Sequence, residues 1–160
     1  MKIKVGFGFD VHQLKENHPF VLGGVHLQHN KGAFGHSDAD VLVHAICDAI
    51  LGAANLEDIG YHFPNTDPKW EGIRSTILLK HCVDMIHGKG WEINNIDAML
   101  CIEAPKIKPY IAEMKAHISE ASGVSTDDIS IKATTNETMG FIGREEGVVA
   151  YAVCLLQKNS

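Results

Sequence analysis

Three stretches with the apolar spacing of helices interrupt a series of strand-forming stretches within 160 residues. A chain this short has room for one sheet with its helices laid on one face, because each element must bury its apolar side against another layer. "IKVGFGFDVHQL" has the β-branched and aromatic residues of a strand and ends in the polar turn "KENHP". A hairpin with arms "FVLGG" and "VHLQ" follows, and "HNKGAFG" reads as a loop. In "SDADVLVHAICDAILGAA" Val41, Ala45, Ile46, Ala49, Ile50 and Ala53 recur at helical spacing, with Ser37 or Asp38 as the cap. "NLEDIGYHFPNTDPKWEG" is dense in turn residues and reads as an ordered loop. Ile73, Ile77, Leu78 and Met85 predict a second helix from Gly72 to near His87, ended by "GKG". "WEINNIDAMLCIEAP" reads as a strand stopped by Pro105, and "KPYIAEMKAHISEASG" as a third helix with Pro109 in its first turn and Gly123 as its stop. "DDISIKAT" and "GVVAYAVCLLQK" supply two more strands, separated by "TNETMGFIGREE". The expected fold is α+β, an α/β sandwich formed by a single domain over residues 1–160, with no internal repeat or linker. The apolar second face of the sheet requires a cover, which makes an oligomer plausible.

A hydrophobic content of 45% is enough for one substantial core. The formal net charge of -6 offers no general attraction to nucleic acid or to an anionic membrane, so neither is an expected partner and any phosphate site must be built from local groups. No apolar run approaches the roughly 20 residues that span a bilayer, and "MKIKVGFGFDVH" lacks the apolar core of a signal peptide. The expected location is cytoplasmic. Cys47, Cys82, Cys101 and Cys154 form no CxxC pair and sit among apolar neighbours, which suits buried free thiols.

Asp10 and His12 lie two apart on a strand, so both leave the same face, the local geometry for two ligands of one metal. A catalytic zinc takes a third protein ligand and keeps one position open. His44, near the start of the first helix with Asp38 and Asp40 beside it, is a candidate third ligand. Spacing alone favours the plainer account, an exposed strand pair and a half-buried helical histidine. "GFGFDV" matches two positions of the dinucleotide fingerprint, but Val11 replaces the third glycine and a turn follows instead of a helix. Gly6 and Gly8 are better explained by a bulge or a close backbone approach. "GHS" before the helix could hold an anion with His36 as a donor, or simply cap it. "DIG" and "FPNTD" suit either turns or a substrate loop. In "KATTNETMGFIGR", Thr134 and Thr135 offer hydroxyls, Glu137 a hard oxygen ligand for magnesium and Arg144 a phosphate partner. A metal pair with anion donors suits phosphoryl transfer better than acyl transfer.

In order along the chain, "GFGFDVH", "GHSDADVLVHAICDAILGA", "DIGYHFPNTD", "EAPKIKP" and "KATTNETMGFIGREEG" closely resemble the 2-C-methyl-D-erythritol 2,4-cyclodiphosphate synthase family of the non-mevalonate isoprenoid pathway. The resemblance implies one mixed sheet with helices on one face, the sheets facing the centre of a homotrimer, and active sites between subunits. It implies conversion of 4-diphosphocytidyl-2-C-methyl-D-erythritol 2-phosphate to the cyclic diphosphate and CMP, by attack of the substrate's own 2-phosphate on the β-phosphorus. Matched residue by residue, one zinc (or a similar divalent transition metal) falls to Asp10, His12 and His44, and magnesium (or manganese) to Glu137. His36 and Thr135 match the residues that place the phosphates and stabilise the transition state. The methylerythritol part would lie along His36 and Ser37, Asp58, Ile59 and Gly60, and Phe63, Pro64, Asn65, Thr66 and Asp67, while Asp10, Val11 and His12 would also touch the substrate, Asp10 and His12 placing the phosphorus to be attacked. Cytidine would be read by Ile102, Glu103, Ala104, Pro105, Lys106, Ile107 and Lys108 together with Ala133, Thr134, Thr135, Asn136 and Glu137 of a neighbouring subunit, with Phe141 and Arg144 near the nucleotide and its phosphates. Asp48, one turn beyond His44, matches a position expected to support that ligand.

Asn65 departs from the "FPDTD" and Asn136 from the "TTTE" common in the family, and neither change removes an expected metal ligand. The 160 residues leave no room for the fused cytidylyltransferase that some relatives carry. Two other readings compete: a zinc-dependent phosphodiester hydrolase, which would insert solvent oxygen, and a non-catalytic trimer that binds a nucleotide or prenyl diphosphate. The complete set of Asp10, His12, His44 and Glu137 argues against the second, since binding alone does not require it.

Overall fold

A computed structural model describes residues 1–158. Strand β1 (Lys2–Glu16) is followed by the hairpin β2 (Phe20–Leu22) and β3 (Val25–Leu27), then β4 (Lys31–Phe34) and the helix α1 (Val41–Ala54). After the short α2 (Ile59–His62) come α3 (Ser75–His87), β5 (Glu92–Cys101), α4 (Ile111–Ser122), β6 (Ile129–Thr134), the one-turn α5 (Gly140–Gly143) and β7 (Gly147–Lys158). Five strands form a mixed sheet in the order β4-β1-β7-β5-β6, antiparallel except for the parallel pair β5 and β6. Parallel neighbours need a crossover, and α4 lies between them in sequence to provide it.

Helices cover one face of the sheet. Leu42, Ile46 and Ile50 of α1, Leu79 and Ile86 of α3 and Met114 and Ile118 of α4 are fully buried, as are Ile96, Leu100 and Leu156 from the strands. Each such side chain contributes roughly 1.5–3 kcal/mol against exposure. Along β1 the residues facing α1 are Gly6, Gly8, Asp10, His12 and Leu14. Gly6 and Gly8 mark a close approach without a bulge: β1 pairs residue for residue with β7 from Lys2 to Gln13, and a Cβ on either glycine would run into the carbonyl of Ala49 or Ala45. The alternate residues Ile3, Val5, Phe7, Phe9 and Val11 form the other face, where Val5 is 68% and Phe7 63% exposed, next to the exposed Tyr151 and Val153.

Several local expectations change. Asp40, not Ser37 or Asp38, caps α1: its carboxylate accepts the Val43 amide at 3.1 Å and reaches across to the hairpin-turn amides of Gly23 at 2.9 Å and Gly24 at 2.6 Å. "HNKGAFG" is not all loop, because Lys31–Phe34 pairs with Gln13–Glu16 as the edge strand β4. The segment expected as a loop holds α2, capped by Asp58, and a turn of tight helix at Pro68–Trp70 capped by Asp67. The second helix begins at Ser75, three residues later than expected, and the third begins as a tight turn at Lys108–Tyr110 before α4, with Gly123 stopping it at φ 74°. β5 stops at Cys101 rather than at Pro105 because its partner β6 ends opposite at Thr134 and leaves no ladder beyond. All four cysteines are free.

Candidate metal centre and active-site cleft

The pleat of β1 turns Asp10 and His12 toward α1, and the first turns of α1 present the buried His44 to them. Asp10 Oδ2 stands 3.0 Å from His12 Nε2 and 3.0 Å from His44 Nδ1, and the two ring nitrogens are 3.1 Å apart. The remaining polar atoms are engaged outward. Asp10 Oδ1 accepts the Val11 amide at 2.9 Å, His12 Nδ1 lies 3.2 Å from the Phe34 carbonyl oxygen, and His44 Nε2 lies 2.8 Å from Ser75 Oγ and 3.1 Å from Ser37 Oγ.

This donor set fits a small divalent cation. Zinc bonds to oxygen and nitrogen of about 2.0–2.2 Å, at tetrahedral angles, hold their donor atoms roughly 3.3 Å apart, close to the 3.0 to 3.1 Å found between these three. One carboxylate with two imidazoles leaves a position open toward solvent or substrate. The triad is also electrostatically tuned. Burial pushes the Asp10 carboxyl up, but the hydrogen bonds and charges of His12 and His44 hold it down at about 2. Burial is the largest single influence on His12 and lowers it, but the bond to the Asp10 carboxylate, that carboxylate's charge, the Phe34 carbonyl and the charge of Asp40 together outweigh it and leave the ring raised above its ordinary value.

The triad forms one wall of a cavity of about 230 Å³, which His36, Ser37, Ile59, Gly60, Phe63 and Asn65 also line, all six at expected positions. Gly35 of the "GHS" stretch lines it as well, as do Trp70, Ile73 and Leu78, which were not expected. Trp70 stacks edge-on against Phe63 with ring centres 4.9 Å apart, so the apolar residues of the otherwise polar "DPKWEGI" were the available signal. Asp48 makes no hydrogen bond to His44. Its carboxylate accepts the Ile59 amide at 2.8 Å and so fastens the loop that closes the cavity.

A profile of the YgbB family matches residues 3–157. A protein of Cytophaga hutchinsonii named 2-C-methyl-D-erythritol 2,4-cyclodiphosphate synthase is 64% identical over 158 residues, which are 99% of each chain. The chain belongs to this synthase family. Among solved structures, the bifunctional IspDF from Campylobacter jejuni matches with a TM-score of 0.95 at 41% identity, over 99% of this chain and 43% of that one, so this chain spans less than half of the bifunctional protein. The CDP complex of Plasmodium falciparum IspF matches with a TM-score of 0.86 at 34% identity, over 98% of this chain and 97% of the other.

Within this member of the family the residues expected to contact nucleotide gather elsewhere. Ile102, Glu103, Pro105, Lys106, Ile107 and Lys108 line a second cavity of about 460 Å³ with Ala133, Thr134, Thr135 and Ile111, while Ala104 does not line it. Glu103 ties its two sides together by accepting the Asn136 amide at 3.1 Å. Asn136 spends its side chain on the Met139 carbonyl, at 2.7 Å, which holds the turn in shape. Glu137 sits in the left-handed region at φ 51° with Oε1 accepting from Thr135 Oγ1 at 3.0 Å. Its carboxylate is exposed, and magnesium bound through one or two carboxylates and substrate phosphates asks for no more.

No residue lines both cavities. Asp10, Ala150, Leu100 and Ala133 follow one another across the sheet in register. Three strand spacings put the metal centre and the Ala133 edge about 14 Å apart in one chain. Other expected residues are displaced from both cavities. Pro64, Thr66, Asp58 and Asp67 line neither, and the two aspartates serve as caps. Val11 faces the opposite side of the sheet and offers the cleft only backbone. Phe141 lies over Gly147 beside the end of β1, and Arg144 is held by Glu146 in a two-point ion pair of 2.9 and 3.0 Å.

Proposed function

We propose that the chain works as a single 2-C-methyl-D-erythritol 2,4-cyclodiphosphate synthase domain, closing 4-diphosphocytidyl-2-C-methyl-D-erythritol 2-phosphate into the cyclic diphosphate with release of CMP. The observation that carries this is the Asp10, His12 and His44 triad on the wall of a loop-covered cavity, in a chain that matches the family over nearly its whole length. Asp10, His12 and His44 would hold zinc and Glu137 magnesium or manganese, and these cations supply Lewis-acid neutralisation of phosphate charge.

The side chains perform the rest. His36, at the cleft wall, and Thr135 hold the phosphates in place and steady the charge that develops in the transition state, as preorganised donors do, and Ser37 lies along the methylerythritol part. An oxygen of the 2-phosphate forms a bond to the β-phosphorus while the bond from that phosphorus to the oxygen shared with the α-phosphate breaks, and the electron pair leaves with CMP. Attacking and leaving groups belong to one molecule, so folding the substrate back on itself is the main catalytic task. Phe63, Trp70, Ile73 and Leu78 wall the cleft with apolar surface and keep water from competing.

The reading extends to a homotrimer in the cytoplasm, with cytidine held by the Ile102–Lys108 side of a neighbouring subunit. Two features support it: the exposed apolar face of β1 and β7, and the separation of the two cavities within one chain. No helix among the described residues is long and apolar enough to cross a membrane. Phosphorus NMR of the purified protein with the cytidyl substrate, zinc and magnesium in ¹⁸O-water tests the reaction. A cyclic diphosphate free of solvent oxygen is expected; a linear product carrying ¹⁸O would replace the reading with a hydrolase, and no turnover by folded, metal-loaded protein would leave only binding.

A further inference from the structure

Beyond the triad, His44 is held by groups outside the cleft chemistry. Ser75, the first residue of α3, is completely buried, and its hydroxyl lies between His44 Nε2 at 2.8 Å and the carboxylate of Asp38. The same carboxylate accepts the Ser75 amide at 2.9 Å through Oδ2, and Ser37 Oγ shares His44 Nε2 from 3.1 Å. Proton accounting leaves one arrangement for this chain. A carboxylate only accepts, so the single Ser75 hydroxyl proton goes to Asp38, and the Ser75 oxygen must then accept from His44 Nε2–H. With Nε2 held as the donor, Nδ1 is the ring atom left to bind a cation between Asp10 and His12, and the hydrogen bond it makes to Asp10 Oδ2 in the metal-free chain gives way to that cation.

We propose that Ser75 and Asp38 are positioning residues of the metal centre, which fix the ring orientation and the tautomer of His44 from behind. The proposal rests on the metal reading above. It explains why Asp38 is not the cap of α1: it tethers the start of α3 to the ligand histidine, so that two helices meet at one imidazole. Outer partners of this kind typically account for roughly 10–100-fold in metal affinity.

The test measures zinc dissociation constants of the full chain by competition with a chromophoric chelator, and urea unfolding of the zinc-stripped chain. Ser75→Ala removes the nearer acceptor of the Nε2 proton and cuts His44 off from Asp38, leaving Ser37 Oγ at 3.1 Å. Asp38→Asn keeps the volume but turns the chain of donors around. The Ser75 amide pins the asparagine oxygen, the NH₂ group faces the Ser75 hydroxyl, and that hydroxyl is driven to donate to Nε2, the wrong tautomer for binding through Nδ1. Ile86→Val, in the same helix and away from the site, is the control for simple destabilisation. Both site variants are expected to bind zinc roughly 10–100-fold more weakly, while Ile86→Val binds as wild type despite a less stable metal-free state. Wild-type affinity in both site variants overturns the proposal, as does a loss in all three that merely follows their stability. A wild-type chain that retains no zinc would instead remove the metal reading, and the positioning role with it.

Discussion

Gly8→Ala places a methyl group where α1 crosses β1 most closely. The added Cβ would fall on the Ala45 carbonyl and stand 2.8 Å from the Ala49 nitrogen, both backbone atoms that no rotamer change can move. Non-bonded carbon contacts settle near 3.5–4.0 Å, so α1 must withdraw by roughly 1 Å or more. Overpacking of a tight core costs about 1–3 kcal/mol. The functional cost is larger in proportion, because Ala45 adjoins His44 and the three donor atoms are now 3.0 to 3.1 Å apart. Metal ligands tolerate errors of only about 0.2 Å, so a shift of that size takes His44 out of the set. Zinc affinity should fall at least 100-fold while the metal-free chain still unfolds cooperatively in urea. Gly52→Ala, an exposed position in the same helix with nothing within 4 Å of the new methyl, should instead stabilise by about 0.5–1 kcal/mol and leave zinc binding unchanged. A Gly8→Ala protein with wild-type stability and zinc affinity would refute the close-contact argument.

Asp10 is more acidic in the folded chain than its ordinary 3.8, at about 2, so its contribution is complete above pH 4 and is lost as pH falls toward 2. In zinc-stripped protein Asp10→Asn should therefore cost about 2 kcal/mol at pH 5, seen as a lower urea midpoint, and almost nothing near pH 2. Asp48→Ala frees the Ile59 amide and slackens the cleft loop; KM should rise about tenfold, equivalent to one charge-assisted hydrogen bond, with zinc affinity unchanged in the chelator competition. Phe7→Asp puts a carboxylate in the middle of the exposed apolar face of the sheet. Sedimentation velocity should show monomer in place of the proposed trimer, with activity lost and zinc retained, and an intact active trimer would show that this face is not the interface.

Local periodicity made some of the site readable and hid the rest. A strand repeats every two residues, so Asp10 and His12 on one face followed from the sequence alone. Gly6 and Gly8 likewise signalled a bulge or a close backbone approach, and the unbroken register with β7 together with the nearby α1 carbonyls decides for the approach. His44 as their partner depends on how α1 is rotated and shifted over β1, which no local pattern encodes; the acidic residues beside it made it a candidate, and the family motifs selected it. Ser75 and Leu78 come from a helix that begins some thirty residues after His44, and their approach depends on the packing of α1 against α3.

The short run Ser37–Asp40 shows why the cap was misassigned. Three of its side chains have oxygen acceptors suited to a helix start, and spacing cannot decide among them. In the fold Ala39 adopts φ 55°, a conformation that costs a non-glycine residue of order 1 kcal/mol or more. That bend separates the two aspartates: Asp40 turns to α1 and the hairpin amides, and Asp38 to the first residue of α3. Ser37 stays on His44. The strain thus converts what would be redundant caps into three separate ties, each ending at an element that bears on His44, and the proposed metal centre would draw the fixed placement of that ring from this division.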